Sequence, residues 1–412
     1  MKGLLFTFFF VTFSQVLIGQ IYPIPESEPD TTKYMENVPK GFTEIPHFTF
    51  GSGIGILSAD SLYSFNLRFR VQNRAGVMFS ENDPTEIEAR VRRLRLRFDG
   101  FVFNPKIFYV VQLSFTRGDM DWDNTDFANI VRDAMIFYKP HPKLQLGFGQ
   151  TKLPGNRQRV NSSGDLQFVD RSIVNAGLNV DRDFGFQAAY TENIFNNFYT
   201  VIRGALTSGE GRNITSTGTG LAYTGRVEFL PFGLFERFGD YFEGDLMREQ
   251  TPKLSSGFTY SYNNNTLRTG GQIGLSLFEP RDMTTVGTDW LLKYKGISIT
   301  AEMLYRTSPN PLTFDASGDV RFIYTGLGQN YQAGYVFPSN YEIAGRYSRM
   351  SASGEVAELH PNVRHFTLGL TKYIKGHRLK VQTDFTYEVR SFETRENPGN
   401  HFIGRFQVEL GI

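Results

Sequence analysis

Nine residues, Val91-Arg92-Arg93-Leu94-Arg95-Leu96-Arg97-Phe98-Asp99, alternate guanidinium groups with hydrocarbon. Arginine stays protonated at any physiological pH and grips oxyanions through a planar fork of N–H donors. A column of such forks can pass an anion from one to the next, provided each holds it weakly enough to let go. In a strand, Arg93, Arg95, Arg97 and Asp99 share one face and Leu94, Leu96 and Phe98 the other. Wound as a helix, the same stretch would spread its arginines right round the axis. A second stretch repeats the pattern, with Arg68 and Arg70 on the polar face opposite Leu67, Phe69 and Val71.

The elements that must carry these columns recur along the chain. Alternating segments begin at Ser61 and run to Ile412, about sixteen in all and roughly 9 to 13 residues each, the length a tilted strand needs to cross a bilayer. Connections alternate long and short. Long gaps at 73–87, 117–130 and 152–183 are separated by short turns near Asn104-Pro105, at Pro140-His141-Pro142 and at Asn193; later turns fall at Lys295-Gly296, Pro338-Ser339 and Gly376. That rhythm is the one in which outer loops and periplasmic turns alternate around a transmembrane barrel. The connection 231–253 breaks it: a short turn is due there, so either a strand is hidden or one turn is enlarged. The final segment, Phe402 to Ile412, sets Phe406, Val408, Leu410 and Ile412 against Arg405, Gln407 and Glu409.

Composition agrees with a barrel. The 412 residues include 39 Phe, 20 Tyr and 41 Gly, yet mean hydropathy is negative, as expected when apolar and polar side chains alternate. A net charge of +1 gives no bulk field for nucleic acid. The absence of cysteine excludes disulfides, thiolate metal sites and a lipoprotein anchor. Lys2 followed by the apolar run Leu4 to Phe13 predicts a signal peptide over 1–20. Residues 21–55, punctuated by Pro23, Pro25, Pro29, Pro39 and Pro46, read as a polar periplasmic segment, and 56–412 as the barrel.

Several pieces together resemble one family. Arg92 to Gly100, Val131-Arg132-Asp133-Ala134, Gly149 to Pro154, Phe168-Val169-Asp170-Arg171-Ser172, Arg182-Asp183-Phe184-Gly185 and Tyr223 to Phe229 follow the order and spacing of the phosphate-selective porins O and P. The resemblance implies an all-β fold, a transmembrane antiparallel barrel of about 16 strands with an inward-folded third outer loop, assembled as a homotrimer in the bacterial outer membrane. It also implies lumen arginines that guide anions such as phosphate. The loop 152–183 departs from the family by not reproducing the lysines of the strict phosphate channels, so the preferred anion stays open.

These observations predict passive diffusion of small solutes with anion preference, without catalysis, metal or cofactor. Arg68, Arg70, Arg93, Arg95 and Arg97 are the wall candidates and Arg157, Arg159 and Arg171 the loop candidates. Expected partners are outer-membrane lipid and lipopolysaccharide, small anions and further copies of the chain. Alternatives are an outer-membrane enzyme of lipase or protease type, for which the scattered histidines offer no matched set, and a plugged barrel serving adhesion or structure. The loop itself has an alternative in which it lies on the surface. Asp119, Asp121 and Asp123 imitate the start of a calcium loop, but Asn124 and Ile130 stand where its glycine and glutamate belong.

Overall fold

The computed structural model describes residues 53–121, 127–214, 220–392 and 395–412. The predicted signal peptide and residues 21–52 of the polar segment lie outside the described residues, as does Asp123. The lipid-water alternation read from the sequence becomes a ring of sixteen antiparallel strands. In chain order these are β2 (Ser64–Ser80), β3 (Glu86–Val102), β4 (Asn104–Ser114), β5 (Val131–His141), β6 (Leu144–Lys152), β7 (Arg182–Phe195), β8 (Phe198–Thr207) and β9 (Ala222–Leu230). They continue as β10 (Lys253–Arg268), β11 (Ser276–Tyr294), β12 (Ile297–Thr307), β15 (Gly326–Val336), β16 (Tyr341–Ala352), β17 (Asn362–Lys375), β18 (Leu379–Ser391) and β19 (His401–Gly411).

Closure comes from β19 pairing with β2, His401 opposite Ser80 through Gly411 opposite Arg70. A short strand, β1 (Ile54–Leu57), takes the same edge of β2 beyond that point, pairing with Ser64 to Leu67. A small hairpin of β13 (Leu312–Phe314) and β14 (Val320–Phe322) stands in the connection between β12 and β15.

Alternation sorts the faces. Arg68, Arg70, Gln72 and Arg74 of β2 point inward and are buried, whereas Phe65 and Phe79 are exposed on the outer face. The outer face carries Phe148, Phe186, Trp290, Leu368 and Phe385, and cross-strand aromatic pairs such as Tyr387–Phe402, with ring centroids 4.6 Å apart.

Strand limits depart from the sequence expectation: β2, β3, β10 and β11 have 17, 17, 16 and 19 residues where roughly 9 to 13 were expected, and one turn is displaced. β2 and β3 run on to Ser80 and Glu86, so the first connection is 81–85 rather than 73–87: Gly76 and Ala75 still pair with Glu88 and Ala89, and small residues there do not end a ladder. The turn placed at Asn193 sits at Asn196-Asn197, where Asn196 takes φ +49, a conformation asparagine tolerates. The connection after β9 hides no strand; 231–252 is an enlarged connection with one short 3₁₀ stretch, Glu236–Tyr241.

A close approach fixes the β2–β3 pairing near its short-turn end. A Cβ on Gly100 would lie 1.9 Å from the Ser64 carbonyl oxygen, whereas one on Gly225 would meet nothing within 4 Å. Gly100→Ala is therefore expected to lower barrel stability by about 1–3 kcal/mol, read as a fall in the urea midpoint in detergent. Gly225→Ala should leave it nearly unchanged; equal midpoints would show that this approach is relaxed in the folded barrel.

Candidate functional site

After Lys152 the chain turns into the barrel. The loop 153–181 holds two short helices, α1 (Arg157–Val160) and α2 (Ile173–Leu178), and crosses the interior from wall to wall. On one side, Arg157 N–H donates to Asp289 and Gln158 N–H to Glu302, at 3.2 and 2.7 Å. Farther along, the Ser163 carbonyl accepts from Gln72 at 3.1 Å, the Leu166 carbonyl from Lys380 at 2.8 Å, and Val169 N–H donates to Asp384 at 3.0 Å. The loop expected at the third outer position is thus folded inward.

Two unlike anchors hold it. The first is apolar: Val174 and Leu178 of α2 pack with Leu304, Met350, Tyr324 and Val356 on the wall. Gly328 makes the approach possible, since a Cβ there would come within 2.8 Å of both Val174 and Leu178. Ser172 caps α2 by accepting from Asn175 N–H, and Arg306 donates to the carbonyls of Gly177 and Asn179 at the other end.

The second anchor is ionic. Asp170 pairs with Arg74, with Arg92 at 3.4 Å, with Arg93 at 3.2 Å and with Arg405 at 3.8 Å. Arg92 reaches it because a bulge leaves that residue without a partner on β2: Gln72 pairs with Arg93 and Asn73 with Val91. Arg346 adds a bond to the Asp170 carbonyl at 2.9 Å and covers the Phe168 ring at 4.5 Å.

Above the loop, at the end of the barrel bearing the long connections, lies a cavity of about 500 Å³. Nine arginines line it (92, 93, 95, 132, 159, 171, 212, 346 and 405) against four aspartates, 119, 121, 170 and 181. Arg95 and Arg132 pair with Asp119, and Arg159 with Asp181. Among the described residues Arg171, Arg212 and Arg346 form no ion pair; they donate to backbone carbonyls. No carboxylate of the described residues is in direct contact with these three guanidinium groups.

The sequence candidates divide by depth. Arg93, Arg95, Arg159 and Arg171 line the cavity. Arg70 lies under the loop, donating to Ser162 and Ser163 at 3.1 and 2.7 Å. Arg68 and Arg97 share Asp99 at 3.3 and 3.0 Å. Arg157 faces the other wall, 1% exposed, with Glu228 at 2.8 Å and Asp289 at 3.6 Å. Sequence reasoning missed Arg92, Arg132, Arg212, Arg346 and Arg405 as cavity residues. Arg346 and Arg132 stand in predicted strands, but nothing in the sequence says which rung meets the loop. Asp119 serves as a counter-ion for arginines and Asp121 pairs with Arg268 at 2.8 Å, which replaces the calcium-loop idea for these two. Among the described residues no group of three His, Asp or Glu side chains is placed to hold a metal.

Residues 65–235 match the family model described as phosphate-selective porin O and P, which bears out the resemblance read from the sequence. The chain is 23% identical over 372 residues to an uncharacterized protein of Aquifex aeolicus (strain VF5), covering 80% of this chain and 83% of that one. The outer membrane channel DcaP of Acinetobacter baumannii is similar in fold, with TM-score 0.52 at 12% identity, covering 88% of this chain and 100% of that one. Pseudomonas putida OprB, in its high-pH structure, gives 0.52 at 11%, covering 86% and 95%. Salmonella typhi OmpF in complex with daunomycin gives 0.52 at 11%, covering 87% and 100%. Family match and closed barrel together support an outer-membrane porin channel.

One loop carboxyl has an unusual proton affinity. Asp165 is buried with one oxygen lacking a hydrogen-bond partner. Burial pushes its pKa up to about 7 against the pull of Lys380, with Glu409 adding to the rise. The folded loop then keeps a proton that the unfolded chain releases above the ordinary carboxylate range. The stability contributed by Asp165 is therefore fully present in acid and declines as pH rises from the ordinary carboxylate range towards about 7, by at most ~1.4 kcal/mol per pH unit. Asp165→Asn should flatten that decline and raise the urea midpoint at pH 8; a variant with the wild-type pH profile would count against it.

Proposed function

We propose that this outer-membrane channel passes small solutes by diffusion and prefers anions such as phosphate. The observation that carries the reading is the cavity with nine arginines against four aspartates. Within a narrow low-dielectric mouth, such an excess concentrates anions before they reach the constriction. Arg171, Arg212 and Arg346, held by carbonyls rather than carboxylates, are the donors best able to accept a passing oxyanion. Each already has a protein partner, so it exchanges one acceptor for another instead of trapping the solute. Loop 153–181 forms the floor and narrows the route.

The same proposal takes residues 1–20 as the export signal, 21–55 as a periplasmic segment and 56–412 as the barrel. It takes the assembly as a homotrimer, and lipid and lipopolysaccharide as the surroundings of the outer face, where Phe148, Trp290 and Phe385 stand exposed. It involves no cofactor and no catalysis. A plugged structural barrel is the second reading, favoured by lumen-facing residues such as Gln72, Glu302, Asn330 and Gln382 being at most 1% exposed.

Planar-bilayer recording in a potassium chloride gradient distinguishes these. The wild type should conduct with a zero-current potential on the chloride side, and phosphate should compete. Arg93→Ala with Arg95→Ala also leaves Asp170 and Asp119 less compensated, so the potential should move towards potassium. An unmoved potential removes those two arginines from selectivity, and a silent wild type points to the plugged barrel.

A further inference from the structure

The enlarged connection 231–252 enters the lumen from the end bearing the short turns. A short turn would have closed the β9–β10 hairpin, so its extra length has another destination. Phe235 begins the ascent, packing with Val201, Leu230 and Leu291 of the wall. Lys293 of β11 then clasps the segment, its Nζ donating to the carbonyls of Gly239, Phe242 and Gly244 at 2.6, 2.8 and 2.5 Å. The Phe242 ring lies 4.2 Å from the same ammonium. Asp245 fixes the returning chain by accepting from Gly296 N–H at 2.7 Å.

At the crest the connection meets the loop descending from the opposite end. Glu243 N–H donates to the Asp165 carbonyl at 2.8 Å. Its Oε1 accepts from Gln158 at 3.1 Å and its Oε2 from Gln167 N–H at 2.9 Å. Beside it, Arg157 donates to the Asp240 carbonyl at 3.1 Å. Glu243 is 4% exposed and has no ion pair among the described residues. A buried carboxylate whose direct contacts are hydrogen bonds from neutral donors is a poor choice for packing. It is a good choice for joining two polar segments through directed acceptors.

We propose that connection 231–252 is a second constriction and that Glu243 is the positioning residue that fixes its crest against the inward loop. The size limit of the channel is then set jointly from both ends of the barrel. This rests on the channel reading above but not on anion preference, because the arginine-lined cavity lies on the other side of the loop.

The test uses the full chain in planar bilayers and in liposomes swollen with neutral sugars of increasing size. Replacing 236–246 by a short Gly-Ser turn should raise single-channel conductance severalfold and admit larger sugars, with the zero-current potential kept. Glu243→Ala should move both in the same direction by less. Glu243→Gln, which keeps one amide oxygen as acceptor, should stay nearer the wild type. Wild-type conductance and size limit in the shortened variant, with the barrel shown folded by its β-sheet circular dichroism, overturn it while leaving the channel intact. Equal effects of the Ala and Gln variants overturn the role given to Glu243. Silence in every protein overturns the channel reading and this inference with it.

Discussion

Everything in this molecule follows from a sheet that cannot have an edge. In hydrocarbon an unpaired backbone N–H or C=O has no water to turn to, so the strands must pair all the way round. The β19–β2 ladder closes that circle, and β1 continues it where β19 stops. Closure fixes the faces: every second residue looks at lipid and every other one at the lumen. Sixteen strands enclose more space than wall side chains can fill. The polar interior is therefore occupied by the chain's own connections, and those connections must satisfy, and be satisfied by, charged walls.

The charges explain why the loop sits where it does. Arg74, Arg92, Arg93 and Arg405 converge on one place, and four cations there would repel one another without Asp170 between them. Arg95 and Arg132 are treated likewise by Asp119. The loop is thus a counter-ion for the wall as much as an obstruction of the lumen. Compensation is incomplete, and the guanidinium groups left with carbonyl partners line the cavity. In the proposed reading, selectivity and docking draw on the same residue type, divided by whether an aspartate reaches it.

The sequence was most legible where physics is local. Period-two alternation located the strands, since a lipid face and a water face leave no other pattern, and the long-short rhythm located the inward loop and marked 231–253 as anomalous. The ends of β2 and β3 were not legible, because Gly76 and Ala75 carry no face preference. Nor was the bulge that brings Arg92 inward, for it depends on pairing with β2 and not on residue type. Arg157 and Arg159 are two residues apart on a short helix, yet one pairs with Glu228 and Asp289 and the other with Asp181. Which wall a loop cation meets is decided by the path of the loop across the barrel, and that path is set by contacts between residues more than a hundred positions apart, such as Gln158 N–H with Glu302.

The two anchors of the loop differ in what can loosen them. Val174 and Leu178 are held by apolar contact with Leu304 and Met350, which salt does not screen. Asp170 is held by charge, but its partners Arg74 and Arg93 are themselves nearly buried, so screening reaches them only through the cavity. A loop fastened in both ways is a fixed part of the wall, and an anion entering the cavity meets a static array of donors. Within a Debye length of about 8 Å at physiological salt, that array acts on charge before the solute meets the region of Glu243. If the proposed roles hold, charge is read on one side of the loop and size beyond it, so substitutions at opposite ends of the barrel would alter the two properties separately.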